Sequence, residues 1–316
     1  MAQLPKKDLN NMSNNNRRFK EYNKQMFKDY KKSIKHAIFD ETLTLYILRP
    51  IAFIFVKLFY PTSITPNQVS LMTTITGIIS AYFFSRGDVV SFSIAASLYF
   101  FSMVLDCVDG MIARLKNNGT AVGRIIDGFS DYIVGISVYI GMGIGFSKGF
   151  IEFNYISFSY WWLLIIAAVS HIVHAMIVDY YRSEFMAHGL GNQKSTWEEK
   201  KKFSDELHKI KHQKNKLFDK FLIAIYLGYS HLQLFRMDKK EEYNKLNYFK
   251  TNKLLIRLWF WIGPTASAFI IIISAFLFRP IIFFVFTIGL ANIYMLVLWI
   301  IQVKANKKIL IKNKNL

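Results

Sequence analysis

Cysteine is almost missing from this chain: Cys107 is the single one among 316 residues. No internal disulfide can form, and cysteine usage leaves the redox compartment open. Acidic residues are scarce too, 21 Asp and Glu against 40 Lys and Arg, for a net charge of +19. Proline is rare, with six in all. No apolar run opens the chain; the first begins near Leu43 behind a long polar stretch, so no cleavable signal peptide is expected. No internal repeat is visible.

What the chain does have is apolar mass. Hydrophobic residues make up 53%, with 29 Phe. Soluble domains seldom combine this with so many basic residues, whereas membrane proteins with basic flanks do. Residues 1–39, 183–254 and the tail from Lys304 are polar and Lys-rich, and long apolar runs lie between them. Because the lysines flank apolar runs, anionic lipid headgroups are the expected counterpart, and nucleic acid is not.

A helix needs about 20 mostly apolar residues to cross a bilayer. Six spans are expected, at 68–85, 90–112, 124–146, 160–181, 255–278 and 281–303. The run 43–60 contains Arg49, Pro50 and Lys57 and is read as an amphipathic helix lying in the interface; a seventh span is the alternative. The fold class is therefore an all-α polytopic membrane protein. Its parts are a basic N-terminal segment 1–39, a membrane domain 40–303 with a cytoplasmic insert 183–254, and a basic tail 304–316. Six spans leave only Arg86, Lys148 and Arg279 on one side. The other, Lys-rich side should face the cytoplasm. Within the insert, Trp197 to Lys202 reads as a charged helix, and Leu217 to Phe235 as a segment on the membrane or below the bundle.

Four aspartates interrupt the apolar pattern at the cytoplasmic ends of the second and third spans. A carboxylate at membrane depth is costly. Four close together repel one another unless a positive charge holds them. Oxygen ligands suit a hard divalent cation such as Mg²⁺, Mn²⁺ or Ca²⁺. On a helix, Asp106, Asp109, Gly110 and Ala113 stand at i, i+3, i+4 and i+7 and share one face. Gly123, Asp127 and Asp131 stand at i, i+4 and i+8 on the next helix. A turn around Asn117, Asn118 and Gly119 would pair the two helices antiparallel, with Gly123 permitting close approach. The two carboxylate faces would then cage one or two divalent ions. Arg114 adds a bidentate phosphate donor at the cytoplasmic edge. The competing reading is a cation channel or transporter; the crowding of the carboxylates at one edge counts against it.

The pattern Asp106-x₂-Asp109-Gly110-x₂-Ala113-Arg114-x₈-Gly123-x₃-Asp127-x₃-Asp131 resembles the signature of the CDP-alcohol phosphotransferase family of integral membrane enzymes. All eight defining positions match, over 26 residues. Thr65-Pro66-Asn67-Gln68-Val69 also resembles the start of the family's first span. The long segment 183–254 departs from the smaller members. The resemblance implies transfer of a substituted phosphate from a CDP-linked donor to an alcohol, with release of CMP and two divalent cations, Mg²⁺ or Mn²⁺, as cofactors. It implies that Asp106, Asp109, Asp127 and Asp131 bind metal and that Asp131 is the general base. Gly110, Ala113, Arg114 and Gly123 would shape the CDP pocket, and a homodimer is the family expectation. CDP-diacylglycerol with inositol or inositol phosphate is the favoured substrate pair. Glycerol-3-phosphate, serine, and CDP-choline or CDP-ethanolamine with diacylglycerol stay open.

Other residues carry two readings each. Asn67 is expected to cap the first span and could touch nucleotide. Arg182 is either a ligand for a phosphate on the acceptor or an interfacial anchor. His171 and His174, inside the fourth span, fit hydrogen bonds to neighbouring helices better than a proton relay. Cys107 should point away from the site and serve packing. Gly263-Pro264-Thr265 should kink the fifth span.

Overall fold

The computed structural model describes residues 24–34, 40–117, 121–148, 159–191 and 243–310, with scattered positions between 200 and 231; the side chains of 121–127 lie outside it. The expected helix at Trp197 to Lys202, the segment Leu217 to Phe235, the Asn118-Gly119 turn and both chain ends fall largely or wholly outside the described residues. Regular structure among these residues is helical, apart from one isolated bridge between Tyr243 and Leu310.

Helix α1 (24–33) precedes a π-helical turn at Thr44–Leu48 that runs into α2, Arg49–Phe59. Then come α3 (Pro66–Arg86), α4 (Val89–Lys116), α5 (Ala121–Phe146) and α6 (Tyr160–Glu184). Helix α7 (Lys245–Trp259), α8 (Pro264–Phe276), α9 (Pro280–Phe284) and α10 (Ala291–Ile309) complete the bundle. Among the described residues, five helical stretches are long and apolar enough to cross a membrane: Val89–Lys116, Gly128–Phe146, Tyr160–Leu190, Lys245–Phe276 and Pro280–Ile309. They fit a multi-pass membrane protein. The expected first span coincides with α3, which is not among the five. Its 21 residues reach roughly 30 Å, enough to span. Its mean hydropathy is lowered by Ser70, Thr73 and Ser80, all buried against its neighbours.

Helix α3 begins as a capping box. The Thr65 hydroxyl accepts from Gln68 N–H, the Gln68 side chain accepts from Thr65 N–H at 2.9 Å, and Pro66 takes the first helical position. The cap is thus Thr65 and not the expected Asn67, which is exposed within the first turn.

Sequence spacing suggests α4 and α5 as a directly packed pair. Instead, both lie along α3, and among the described residues they pack far more extensively on it than on each other. Gly141 and Gly145 of α5 explain the closeness: a Cβ there would stand 2.2 Å from the carbonyl oxygens of Ala81 and Phe84. Only glycine admits this backbone-to-backbone contact. The outward faces of the bundle carry large apolar side chains, including Ile75, Ile79, Ile136, Ile140, Val169, Ile293 and Val297.

Inside the bundle, polar side chains tie helices together as expected. The Tyr139 hydroxyl meets His171 Nδ1 at 3.2 Å, joining α5 to α6. His174 Nε2 meets Asn292 Oδ1 at 3.0 Å, and Asn292 donates to Ser170 Oγ at 3.0 Å, joining α6 to α10. The π-helical turn Val285–Leu290 precedes Asn292, whose amide donates to the carbonyl of Ile288 at 2.9 Å. The kink at Gly263-Pro264 is present: α7 ends in a 3₁₀ turn, Gly263 is extended, and Pro264 starts α8. Helix α6 runs past the expected end of its span through the π-helical turn Phe185–Leu190, and α7 starts ten residues before the expected 255.

Candidate active site

The last three turns of α4 carry most of the motif. Asp109 is buried, Asp106, Gly110, Ala113 and Arg114 are half-buried, and Cys107 points into an apolar cluster with Leu48, Val56 and Val104. Helix α4 stops at Asn117, whose left-handed backbone (φ 52°) closes the helix with an N–H to the Ala113 carbonyl. Lys116 Nζ donates to the carbonyls of Thr62 and Ile64, both at 2.9 Å, and fixes this end against the turn before α3. Placing Arg114 and Lys116 in the last turn also suits the negative end of the helix dipole.

Two motif side chains have partners that orient them. Ser70 of α3 donates to Asp109 Oδ2 at 2.5 Å and sets that carboxylate's rotamer. The Arg114 guanidinium folds back along α4, as helical side chains do. A Cβ on Gly110 would stand 3.4 Å from both of its terminal nitrogens. Gly110 therefore provides the floor on which the guanidinium rests. Arg114 Nε donates to the Ser33 carbonyl at the end of α1, while its Nη2 is buried and without a partner among the described residues.

Behind the motif sits a buried arginine that the sequence does not advertise. Arg49 of α2 is bidentate to Asp40, at 3.0 and 3.1 Å, and its Nη1 donates to the Cys107 carbonyl at 3.4 Å. Both residues are under a tenth exposed. Burial works against the guanidinium charge, but Asp40 and, farther off, Asp106 favour it, and its pKa is raised overall. This pair pins the chain before α2 to the turn that holds Asp106 and Asp109.

The other carboxylates are placed differently. Asp131 of α5 is exposed and interacts electrostatically with Tyr99, two turns before Asp106 on α4. The backbones of Gly123 and Asp127 are helical in α5, and their side chains lie outside the described set. Among the described residues, no three His, Cys, Asp or Glu side chains gather at metal-binding distance. The donor chemistry nonetheless fits a hard cation: every motif carboxylate offers oxygen ligands only. Arg182 pairs with Asp179 one turn earlier on α6.

Near Arg182, Glu41 caps α8 from the far side of the chain. Its Oε2 accepts from Thr265 N–H at 3.0 Å, and Thr44 meets Thr265 hydroxyl to hydroxyl at 2.9 Å. Burial raises the Glu41 carboxyl to about 7, against the lowering pull of Arg182 and the Thr265 and Ala266 hydrogen bonds. Sequence reasoning missed Glu41, Arg49 and Asp40. Only the isolated charge of Arg49 within an apolar helix signals a buried partner.

Residues 63–212 match the CDP-alcohol phosphatidyltransferase family. A stretch of 71 residues is 37% identical to the bifunctional IPC transferase and DIPP synthase of Thermococcus kodakarensis. It covers 22% of this chain and 16% of that protein, so this chain matches only a small part of the relative's length. The matched segment contains α3 to α6 and the whole motif from Asp106 to Asp131. That segment, a little under half of the chain, is similar to the CDP-alcohol phosphatidyltransferase family and holds all eight motif positions.

Proposed function

We propose that this chain transfers a phosphatidyl group from CDP-diacylglycerol to a small polar alcohol, giving a phospholipid and CMP. The observation that carries the reading is the motif face of α4, where Asp106, Asp109, Gly110, Ala113 and Arg114 stand together and the Arg114 guanidinium lies over Gly110. Asp106, Asp109, Asp127 and Asp131 would hold two divalent cations, Mg²⁺ or Mn²⁺, in the space between α4 and α5. When bound, the cations neutralise the donor's diphosphate and stabilise CMP as leaving group.

The chain's own residues do the rest. Arg114 binds a phosphate of the donor, and Gly110, Ala113 and Gly123 leave room for the nucleotide. Asp131 accepts the proton of the acceptor hydroxyl as its oxygen attacks the lipid-linked phosphorus. A new P–O bond forms to the alcohol, the diphosphate bond breaks, and CMP carries away the released charge. Asp131 lies about 6 Å further along α5 than Asp127, by the rise per residue, which supports a deeper position beside the acceptor.

Inositol or inositol phosphate is the favoured acceptor, from the basic helix α2 followed by Thr65-Pro66-Asn67-Gln68-Val69. Arg182, at the same end of the bundle as Glu41 and α8, is the candidate ligand for a phosphate on the acceptor. Asn67, exposed at the start of α3, is a further candidate contact to the nucleotide. The distribution of basic residues supports a site facing the cytoplasm, and a homodimer completes the reading.

The test uses purified protein with Mn²⁺ or Mg²⁺, radiolabelled CDP-diacylglycerol and a panel of alcohols, scored by CMP release. Release with inositol or inositol phosphate is expected. No CMP from this donor, or from CDP-choline or CDP-ethanolamine with diacylglycerol, would overturn the enzyme reading.

A further inference from the structure

A guanidinium grips an anion best with two parallel N–H groups. One such edge is formed by Nε–H and Nη2, which point the same way. On Arg114 this edge is half used. The Ser33 carbonyl takes the Nε–H, while Nη2 is buried with no partner among the described residues. A neutral carbonyl satisfies one donor there. The two oxygens of a phosphate would satisfy both and add charge. A buried guanidinium N–H left unbonded is costly, so the observed arrangement is the weaker of two occupants for this edge.

Helix α1 holds its carbonyl in place with contacts that can separate. Ser33 itself is fully buried, and its hydroxyl donates to the Tyr30 carbonyl at 2.7 Å. The rest of α1 is held by Asp29 on Lys57 at 2.9 Å, with side chains 29% and 39% exposed, and by the edge of Tyr30 on Phe53. An exposed ion pair of this kind adds little and weakens with salt. The outer face of α1 carries Lys24, Lys28, Lys31 and Lys32, all exposed, and its inner face rests only Tyr30 and Ile34 on the cluster around Phe53, so lifting it uncovers two apolar side chains that are already partly exposed.

We propose that α1 is a strap that plugs the phosphate-binding edge of Arg114, and that the donor's diphosphate binds by displacing the Ser33 carbonyl. The proposal rests on the reading of Arg114 as a donor contact. It adds that the site is closed from the cytosolic side in the ligand-free chain and that α1 controls entry.

The experiment locks the strap in the full-length protein. Asp29→Cys and Lys57→Cys replace the ion pair, and a short reducible bis-maleimide joins the two thiols; the native Cys107 is buried and does not compete. Equilibrium binding of CDP with Mg²⁺ is then measured before cross-linking, after it, and after reduction. A loss of at least tenfold on cross-linking, recovered on reduction and absent in either single-cysteine variant, is expected. In parallel, a Ser33→Cys variant is labelled with a maleimide. Its rate should rise at least fivefold with CDP and Mg²⁺ and stay unchanged with cytidine, which has no phosphate. Binding that stays within twofold after cross-linking, or a Ser33→Cys rate that ignores bound CDP, overturns the strap. If the uncross-linked protein binds no CDP at all, the donor-site reading falls, and the strap falls with it.

Discussion

Removing Arg49 should be the most damaging single change outside the motif. Arg49→Ala strands Asp40, which is 9% exposed, without the two hydrogen bonds that hold its carboxylate. Breaking a buried pair from one side costs about 3–5 kcal/mol, because a desolvated charge is left behind. The third bond, to the Cys107 carbonyl, is long at 3.4 Å and adds little. Replacing both partners by apolar residues, Asp40→Leu with Arg49→Met, removes the stranded charge as well and should lie within about 1 kcal/mol of the parent. A double-mutant cycle then shows a coupling of at least about 2 kcal/mol. The assay is unfolding by sodium dodecyl sulfate in mixed micelles, followed by tryptophan fluorescence. Single substitutions costing under about 1 kcal/mol would refute a buried, mutually dependent pair.

Glu41 gives stability a pH dependence. Its folded pKa of about 7 stands above its ordinary value of 4.5, so its contribution is complete below pH 4.5 and lost as pH rises through 7. That difference, at about 1.4 kcal/mol per pH unit, makes a fall of about 3 kcal/mol. Glu41→Gln should flatten the profile, measured by the same unfolding assay from pH 4.5 to 8. Ser70→Ala removes the donor that orients the buried Asp109 and should raise the Mn²⁺ concentration for half-maximal CMP release about tenfold. Gly141→Ala forces a Cβ to 2.2 Å from the Ala81 carbonyl and should cost about 1–3 kcal/mol by pushing α3 from α5.

Helical periodicity is a local property, and what it determines is local. The shared face of Asp106, Asp109, Gly110 and Ala113 follows from spacing alone, as does the break at Gly263-Pro264. His171 and His174 read correctly as helix-tying groups because a polar ring inside an apolar span needs a partner from its neighbours. The cap of α3 was legible but misassigned: Thr65-x-x-Gln68 is a capping box with proline at the first helical position, and it outranks Asn67. That α4 and α5 each pack chiefly on α3 was not legible. Which helix packs on which depends on close backbone approach at Gly141 and Gly145, residues far in sequence from Ala81 and Phe84. Glu41 on Thr265, Asp40 on Arg49 and Ser33 on Arg114 were hidden for the same reason. Each joins a charged or polar group to a partner that no local pattern specifies.

The most direct test of the central claim compares the parent protein with Asp131→Asn, using CDP-diacylglycerol, Mn²⁺ and an inositol acceptor. CMP release should fall at least a thousandfold, about 4 kcal/mol of barrier, while CDP still binds. Near-normal turnover in Asp131→Asn would contradict the assignment of Asp131 as the base that activates the alcohol.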